Sequence, residues 1–110
     1  MKIYLAIPYT GKEDQSFKLA NKIAGILMQQ GHIVFSPISH SHPINQECEL
    51  NEDWEFWKKQ DTAFIEWCDE LHVVLFGDYK KSVGVMYEIE QAEALKKPVN
   101  FIQFKHHRIY

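Results

Sequence analysis

Two carboxylates lie where helical periodicity turns them toward the interior of the protein. Glu88, in the stretch SVGVMYEIEQA, lies one helical turn from Gly84 and one from Ala92, on the side expected to face the core. Asp61 lies at the centre of an apolar helical stripe made of Trp54, Trp57, Phe64, Ile65 and Cys68. Burial raises the pKa of a carboxyl group, which suits it to proton transfer. Paired carboxylates commonly catalyse reactions at an anomeric carbon. One attacks or stabilises C1′, and the other transfers the proton of the leaving group.

A purely structural role is open for each carboxylate taken alone. A buried Asp61 satisfied by a backbone amide or a lysine would need no ligand, because polar residues in apolar stripes are often simply hydrogen-bonded. Two inward carboxylates on different helices that lead toward one crevice are harder to explain by structure alone. Together they indicate a functional pair.

The hydrophobic pattern predicts alternating strands and helices. The expected strands are KIYLA, HIVFSP, ELHVVLF and PVNFIQF, and the expected helices cover about residues 14–30, 53–68 and 82–97. With right-handed crossovers this order predicts a single α/β domain over residues 1–110. It is a flavodoxin-like, doubly wound parallel sheet of four to five strands in three α/β/α layers, ordered 2-1-3-4. We expect residues 38–53, ISHSHPINQECELNED, to form a long irregular loop, and the tail KHHRIY to be too short for another element.

Ligands of open parallel sheets bind beyond the carboxyl ends of the strands, where three loops of this chain meet. The loops are IPYTGKED, SHSHP and GDYKKSVG. Ser82 opens a helix with Gly84 behind it, so free backbone N–H groups could hold a phosphate or an acidic hydroxyl there, although a plain N-cap serine explains the same residues. The first two loops supply the remaining substrate-binding candidates: Pro8, Tyr9, Gly11, His40 and His42.

Six histidines raise the alternative of a metal-dependent hydrolase that uses His40 and His42. No cysteine pair, HExxH motif or regularly spaced carboxylate completes such a site. Histidines that shape a loop or contact a substrate are the preferred interpretation. We therefore expect no metal and no cofactor.

Composition indicates an ordinary globular domain. The chain has 110 residues, 45% hydrophobic and 25% charged, with a formal net charge of −3. This balance argues against nucleic-acid polymers or a membrane as partners. The N-terminus leads straight into a strand-like segment, and Cys48 and Cys68 form no disulfide framework, so a reduced cytoplasmic protein without a signal peptide is expected.

Four motifs resemble the nucleoside 2-deoxyribosyltransferase superfamily, and together they span nearly the whole chain. They are IYLA-x-P-x-x-G, the QD of the second helix, CDELHVVL, and S-x-G-x-x-x-E-x-x-x-A-x-x-x-x-K-P-V. The superfamily includes base-exchanging transferases and hydrolases of deoxynucleoside 5′-monophosphates. More narrowly, YLAIPY and FSPISHSHP look like a small bacterial and phage family of unassigned function.

The resemblance implies roles for matching positions. Glu88 matches a nucleophile that attacks C1′, Tyr4 a tyrosine that orients this carboxylate, and Asp61 an aspartate that handles protons on the nucleobase. Asp69 matches a residue with a more structural role. Ser82 stands where the transferases carry an aspartate and the monophosphate hydrolases carry a serine for phosphate.

The first loop departs from the hydrolase pattern, because a Gly-Ser-x-Arg run is replaced by residues 7–10, IPYT. Lys12, Lys80 and Lys81 are the candidates for the missing cation. The resemblance also implies a homodimer or higher homo-oligomer in which the tail reaches a neighbour's site.

The expected function is cleavage or transfer at the N-glycosidic bond of a deoxynucleoside or its 5′-monophosphate. The alternative is a non-catalytic module that binds a nucleotide or an ADP-ribose-like ligand.

Overall fold

Four parallel strands in the order β2-β1-β3-β4 form the centre of the molecule. The computed structural model describes residues 1–50 and 53–110. Within them the sheet strands are β1 (Lys2–Ala6), β2 (Ile33–Phe35), β3 (Glu70–Val74) and β4 (Val99–Ile102). The helices are α1 (Glu13–Gln29), α2 (Pro37–Cys48), α3 (Trp54–Trp67) and α4 (Val83–Ala94), with a short 3₁₀ turn at Tyr79–Lys81. The predicted α/β class and strand order are confirmed.

The two faces of the sheet carry separate apolar cores, as the alternation of a strand requires. Ile3 and Leu5 of β1 point to one face and pack with Ile23 and other residues of α1. Tyr4 and Ala6 point to the other face, where α3 and α4 lie. Helices on both faces produce the three-layer arrangement, and they leave the carboxyl ends of the strands open for a site.

The segment predicted as a long loop is largely a helix, so that prediction is wrong over Pro37–Cys48. Ser36 caps the helix by accepting a hydrogen bond from the backbone N–H of Ser39 at 3.4 Å, and Pro37 follows in the first turn, where its missing N–H costs nothing. Pro43 lies inside the helix and removes one hydrogen bond, but it does not end it. The remainder of the predicted loop includes residues 51 and 52, which lie outside the described residues.

The prediction that the tail KHHRIY is too short for another element is wrong, because the tail takes part in a hairpin. Strands β5 (Phe104–Lys105) and β6 (Arg108–Ile109) pair as an antiparallel hairpin. His106 and His107 occupy its two-residue turn with φ of 51° and 62°, the sign required by the turn that suits the twist of a hairpin. Phe104 and Ile109 pack against the core on the α1 side of the same chain.

Asp69 holds the beginning of the sheet, far from the open edge of the strands. Its carboxylate accepts a hydrogen bond from the backbone N–H of Lys2 at 2.8 Å, and its own N–H donates to the carbonyl of Lys2 at 2.7 Å. This geometry fits the structural role implied by the resemblance. No helix among the described residues is long and apolar enough to cross a membrane.

Candidate active site

Tyr4 and Glu88 meet in the interior between β1 and α4. The Tyr4 side chain is fully buried and Glu88 is 5% exposed. The hydroxyl of Tyr4 donates a hydrogen bond to Oε2 of Glu88. Strand alternation turns Tyr4 toward α4, and helical spacing turns Glu88 back toward the strand. One oxygen of the carboxylate is thereby held, and Glu88 also lines the cavity described below.

Asp61 on α3 is the second buried carboxyl group, 7% exposed. Burial raises its pKa to about 7, and the Tyr4 hydroxyl opposes part of that rise. Burial also raises the pKa of Glu88, and the charge of Asp61 raises it further. Because the charge of Asp61 contributes to the rise at Glu88, ionising both carboxyl groups at once is disfavoured. The pKa of Tyr4 is raised well above its ordinary value by burial and then by Glu88, so Tyr4 remains a donor.

A cavity of about 710 Å³ opens above these groups at the carboxyl ends of the strands. A cavity of this size accommodates a small ligand such as a nucleoside. Its walls come from the loop after β1, from α2, from the first turns of α3 and α4, and from the segment before α4. The sequence-predicted residues on its walls are Pro8, Tyr9, His42, Asp61, Ser82, Gly84 and Glu88.

Two predicted substrate-binding residues lie elsewhere. His40 is exposed on α2, with Nδ1 3.3 Å from the Ser41 hydroxyl, and it does not line the cavity. His40 and His42 are two positions apart on α2, which separates their side chains by about 200° around the helix. Gly11 is exposed at φ +84°, where it forms the turn after β1, and its N–H donates to the Glu13 carboxylate.

Ser82 and Gly84 form the wall at the beginning of α4. The Ser82 hydroxyl accepts a hydrogen bond from the N–H of Val85 at 3.2 Å, so it is an N-cap that also faces the cavity. Gly84 lies beside the indole of Trp54, and a Cβ at this position would lie 3.4 Å from the ring, in ordinary contact. Trp54 in turn packs edge-on against Tyr87 at 5.5 Å between ring centroids.

Several lining residues were not singled out as site residues from the sequence. They are Thr10, Asn45, Asp53, Trp57, Asp78 and others in the same segments. Thr10 and Asp78 follow the carboxyl ends of β1 and β3, which was the signal available, whereas Asp53 and Trp57 lie at the beginning of α3, which follows α2. Lys12 and Lys81, named as possible cations, line the cavity; the Lys12 ammonium lies over the Phe76 ring at 4.8 Å. Among residues 1–50 and 53–110, no three His, Cys, Asp or Glu side chains are arranged to hold a metal ion.

A family model described as "Domain of unknown function (DUF1937)" matches residues 1–104. The chain belongs to the DUF1937 family. No curated protein matches this DUF1937 chain. Its family fits the expectation, drawn from YLAIPY and FSPISHSHP, of a group without an assigned function.

The DUF1937 chain is similar in structure to two solved 2-deoxyribosyltransferases. It is similar to the 2-deoxyribosyltransferase of Bacillus psychrosaccharolyticus at 29% identity and a TM-score of 0.66, covering 94% of this chain and 72% of that one. It shares the fold of the 2-deoxyribosyltransferase of Leishmania mexicana at 17% identity and a TM-score of 0.67, covering 94% and 65%. The resemblance predicted from the motifs is confirmed. The DUF1937 chain spans just under two thirds of the Leishmania protein.

Proposed function

We propose that this DUF1937 protein cleaves the N-glycosidic bond of a deoxynucleoside or its 5′-monophosphate, or transfers the deoxyribosyl group, with Glu88 as nucleophile. The observation that carries the proposal is the buried contact between Tyr4 and Glu88, beside Asp61, at the base of a ligand-sized cavity. The similarity to the Bacillus 2-deoxyribosyltransferase supports the same class of reaction.

In the first step an oxygen of the ionised Glu88 attacks C1′ of the deoxyribose. The bond from C1′ to the base nitrogen breaks, and its electron pair leaves with the base. Protonated Asp61 gives its proton to the departing base, which a pKa of about 7 allows near neutral pH. Tyr4 holds the other oxygen of Glu88 and favours its ionised form. The product is a deoxyribosyl ester of Glu88 and a neutral base.

In the second step the ionised Asp61 accepts a proton from the incoming nucleophile. Water releases free deoxyribose or its phosphate, and a second nucleobase gives a new nucleoside with retained configuration. In either case attack at C1′ breaks the ester and returns Glu88 as a carboxylate. The pair of carboxyl groups ends each cycle with the one proton it began with.

The test is incubation of the protein with the four deoxynucleosides and their 5′-monophosphates, with free base measured by chromatography. Wild type should release base from at least one substrate, and Glu88→Gln should release none. Glu90→Gln is the matched control, because Glu90 is an exposed glutamate on the same helix, and it should keep wild-type activity. Mass spectrometry of a rapidly quenched reaction should find a deoxyribosyl adduct on Glu88. Equal base release by wild type and Glu88→Gln would reject Glu88 as nucleophile.

The second candidate is a binding module that holds a nucleotide or ADP-ribose-like ligand without turnover. The first loop favours it, because IPYT replaces the Gly-Ser-x-Arg run of the monophosphate hydrolases. This candidate predicts ligand binding by wild type without release of base from any substrate. The same incubation, paired with calorimetric binding, separates the two.

A further inference from the structure

A chain of three side chains runs from the cavity wall to the surface. The Tyr9 hydroxyl lies 2.6 Å from Nδ1 of His42. Nε2 of His42 lies 3.3 Å from Oδ1 of Asp14, whose side chain is 80% exposed. The imidazole is buried and stacks on the ring of Phe17 at 4.5 Å between centroids. These contacts fix the position and orientation of the imidazole.

The chemistry of the three groups sets the direction of each hydrogen bond. A carboxylate only accepts, so Nε2 of His42 carries the hydrogen that faces Asp14. In the neutral imidazole Nδ1 then carries a lone pair, and it accepts the hydrogen of the Tyr9 hydroxyl. Tyr9 has only one such hydrogen. Its oxygen therefore offers lone pairs alone to the cavity.

A second acceptor lies on the same side of the cavity. Asn45 is on α2, three residues after His42, so the two side chains share a helical face. Its Oδ1 is buried and has no hydrogen-bond partner within the described ranges 1–50 and 53–110. Leaving such an oxygen unpaired is costly. Because it is closed off from solvent, a ligand donor reaches it only if the amide of Asn45, a residue that lines the cavity, turns toward the ligand. Tyr9 and Asn45 are called the acceptor wall below.

The carboxylates near Tyr9 act in the same direction, whereas the ammonium groups of Lys12 and Lys81, which also line the cavity, act against it. Burial raises the pKa of Tyr9, and the carboxylates of Glu13 and Asp14 raise it further, so the hydroxyl keeps its hydrogen for His42. These carboxylates also repel an anion. The nearby Lys12 directs its ammonium over Phe76.

We propose that the acceptor wall recognises a neutral O–H or N–H donor of the substrate and disfavours a phosphate group, with His42 and Asp14 as positioning residues. This inference rests on the proposed function and narrows its substrate. Two parts of a deoxynucleoside carry the required chemistry: the 5′-hydroxyl and the N–H groups of the base. In either case the uncharged nucleoside, rather than the 5′-monophosphate, is the ligand that satisfies the wall.

The test measures dissociation constants by tryptophan fluorescence at pH 8. A Glu88→Gln background keeps the ligands intact. The ligands are the deoxynucleoside that binds most tightly, its 5′-deoxy analogue, its 5′-monophosphate, and an analogue without the N–H donors of the base. Tyr9→Phe should weaken binding of the parent nucleoside by about tenfold, the loss of one hydrogen bond. Tyr9→Phe should not change the binding of the analogue that lacks the recognised donor. That analogue therefore shows whether the donor is the 5′-hydroxyl or an N–H group of the base.

Asp14→Ala tests the positioning residues without altering the cavity. Without the carboxylate, His42 is free to place its hydrogen on Nδ1, and the Tyr9 hydroxyl is free to donate into the cavity. The preference for nucleoside over monophosphate should therefore shrink by about threefold to tenfold. Glu90→Ala removes an equal charge from an exposed position and should leave the preference unchanged. A thermal melt confirms that each variant is folded.

Three results would overturn the inference. One is an equal loss in Tyr9→Phe for the parent and every analogue. Another is a wild-type preference for the monophosphate that Asp14→Ala does not alter. In both cases nucleosides bind, so these results reject the acceptor wall and leave the proposed function to the base-release assay. Binding of no deoxynucleoside or monophosphate at all would reject the proposed function and this inference together.

Discussion

The hydroxyl of Tyr4 donates to the carboxylate of Glu88 across the interface of β1 and α4, and both side chains are closed off from bulk solvent. A buried carboxylate is unfavourable unless it is paired or hydrogen-bonded. Tyr4 supplies one hydrogen bond and leaves the rest of the group facing the cavity. The arrangement retains a carboxyl group where an apolar side chain would be more stable.

Tyr4→Phe should reduce the rate of base release by about 100-fold, as for other single donors that stabilise charge in an active site. The phenyl ring preserves the packing of the fully buried side chain. The hydrogen bond from Tyr4 lowers the pKa of Glu88, against the rise caused by burial and Asp61. Its loss should move the acidic limb of the pH–rate profile to higher pH. An unchanged acidic limb would mean that Tyr4 does not govern the ionisation of Glu88.

Asp61 should make the protein less stable as the pH rises. Its folded pKa is about 7 and its ordinary value is 3.8, so between these values the folded state holds a proton that the unfolded state has lost. The contribution is fully present below about pH 4 and is lost as the pH rises through about 7, at up to about 1.4 kcal/mol per pH unit. Denaturant unfolding of wild type and Asp61→Asn at pH 4 and pH 8 measures it. The variant should show the smaller decrease, and equal decreases would contradict the raised pKa.

Assembly into a homodimer or larger homo-oligomer is a further prediction. Val83 at 70%, Phe101 at 47% and Met86 at 38% exposure place apolar side chains on the surface of α4 and β4. Burying them would stabilise an interface by the hydrophobic effect. Sedimentation at micromolar concentration should find more than one chain per particle, and Val83→Glu should lower that number. A fully active monomer would contradict this prediction.

The sheet and its order could be predicted because the strands and helices differ in hydrophobic period. KIYLA and ELHVVLF read as buried strands, and helical spacing placed Asp61 and Glu88 inward. The partnership of Tyr4 with Glu88 joins residues 84 positions apart, and local patterns carry no information about such a contact. It was expected only through the resemblance to a known superfamily.

The helical form of α2 could not be predicted, because the local sequence signals in this segment conflict. Ser36 and Pro37 favour a helix start, whereas Pro43 favours a break. The packing of His42 on Phe17 supports the helix, and such packing depends on the tertiary fold. The directions of the His40 and His42 side chains depend on this difference, because an extended loop and a helix orient residues two positions apart differently. The hairpin of the tail was missed because its turn uses two histidines at positive φ, where Asn-Gly or Asp-Gly is the usual signal.

Gly84 should tolerate alanine but not valine. A Cβ would lie 3.4 Å from the Trp54 ring, which is ordinary contact, and alanine favours a helix over glycine by about 0.5–1 kcal/mol. Gly84→Ala should therefore be as stable as wild type or slightly more stable. Gly84→Val should displace the indole, which also lines the cavity, and weaken nucleoside binding. Thermal melts and dissociation constants check both variants; equal binding by wild type and Gly84→Val would show that the position of Trp54 does not matter for the ligand.

Glu88→Ala should separate stability from activity. Desolvation and Asp61 raise the pKa of Glu88, so its ionised form is unfavourable in the folded protein. Removal of the carboxyl group should therefore leave the free energy of unfolding at pH 8 equal or increase it. Base release should be abolished because no nucleophile remains. Denaturant unfolding and the chromatographic assay, run on the same preparation, test both halves. A variant that unfolds while the Glu90→Ala control stays folded would instead assign Glu88 a structural role, and a variant that stays active would exclude it from the chemistry.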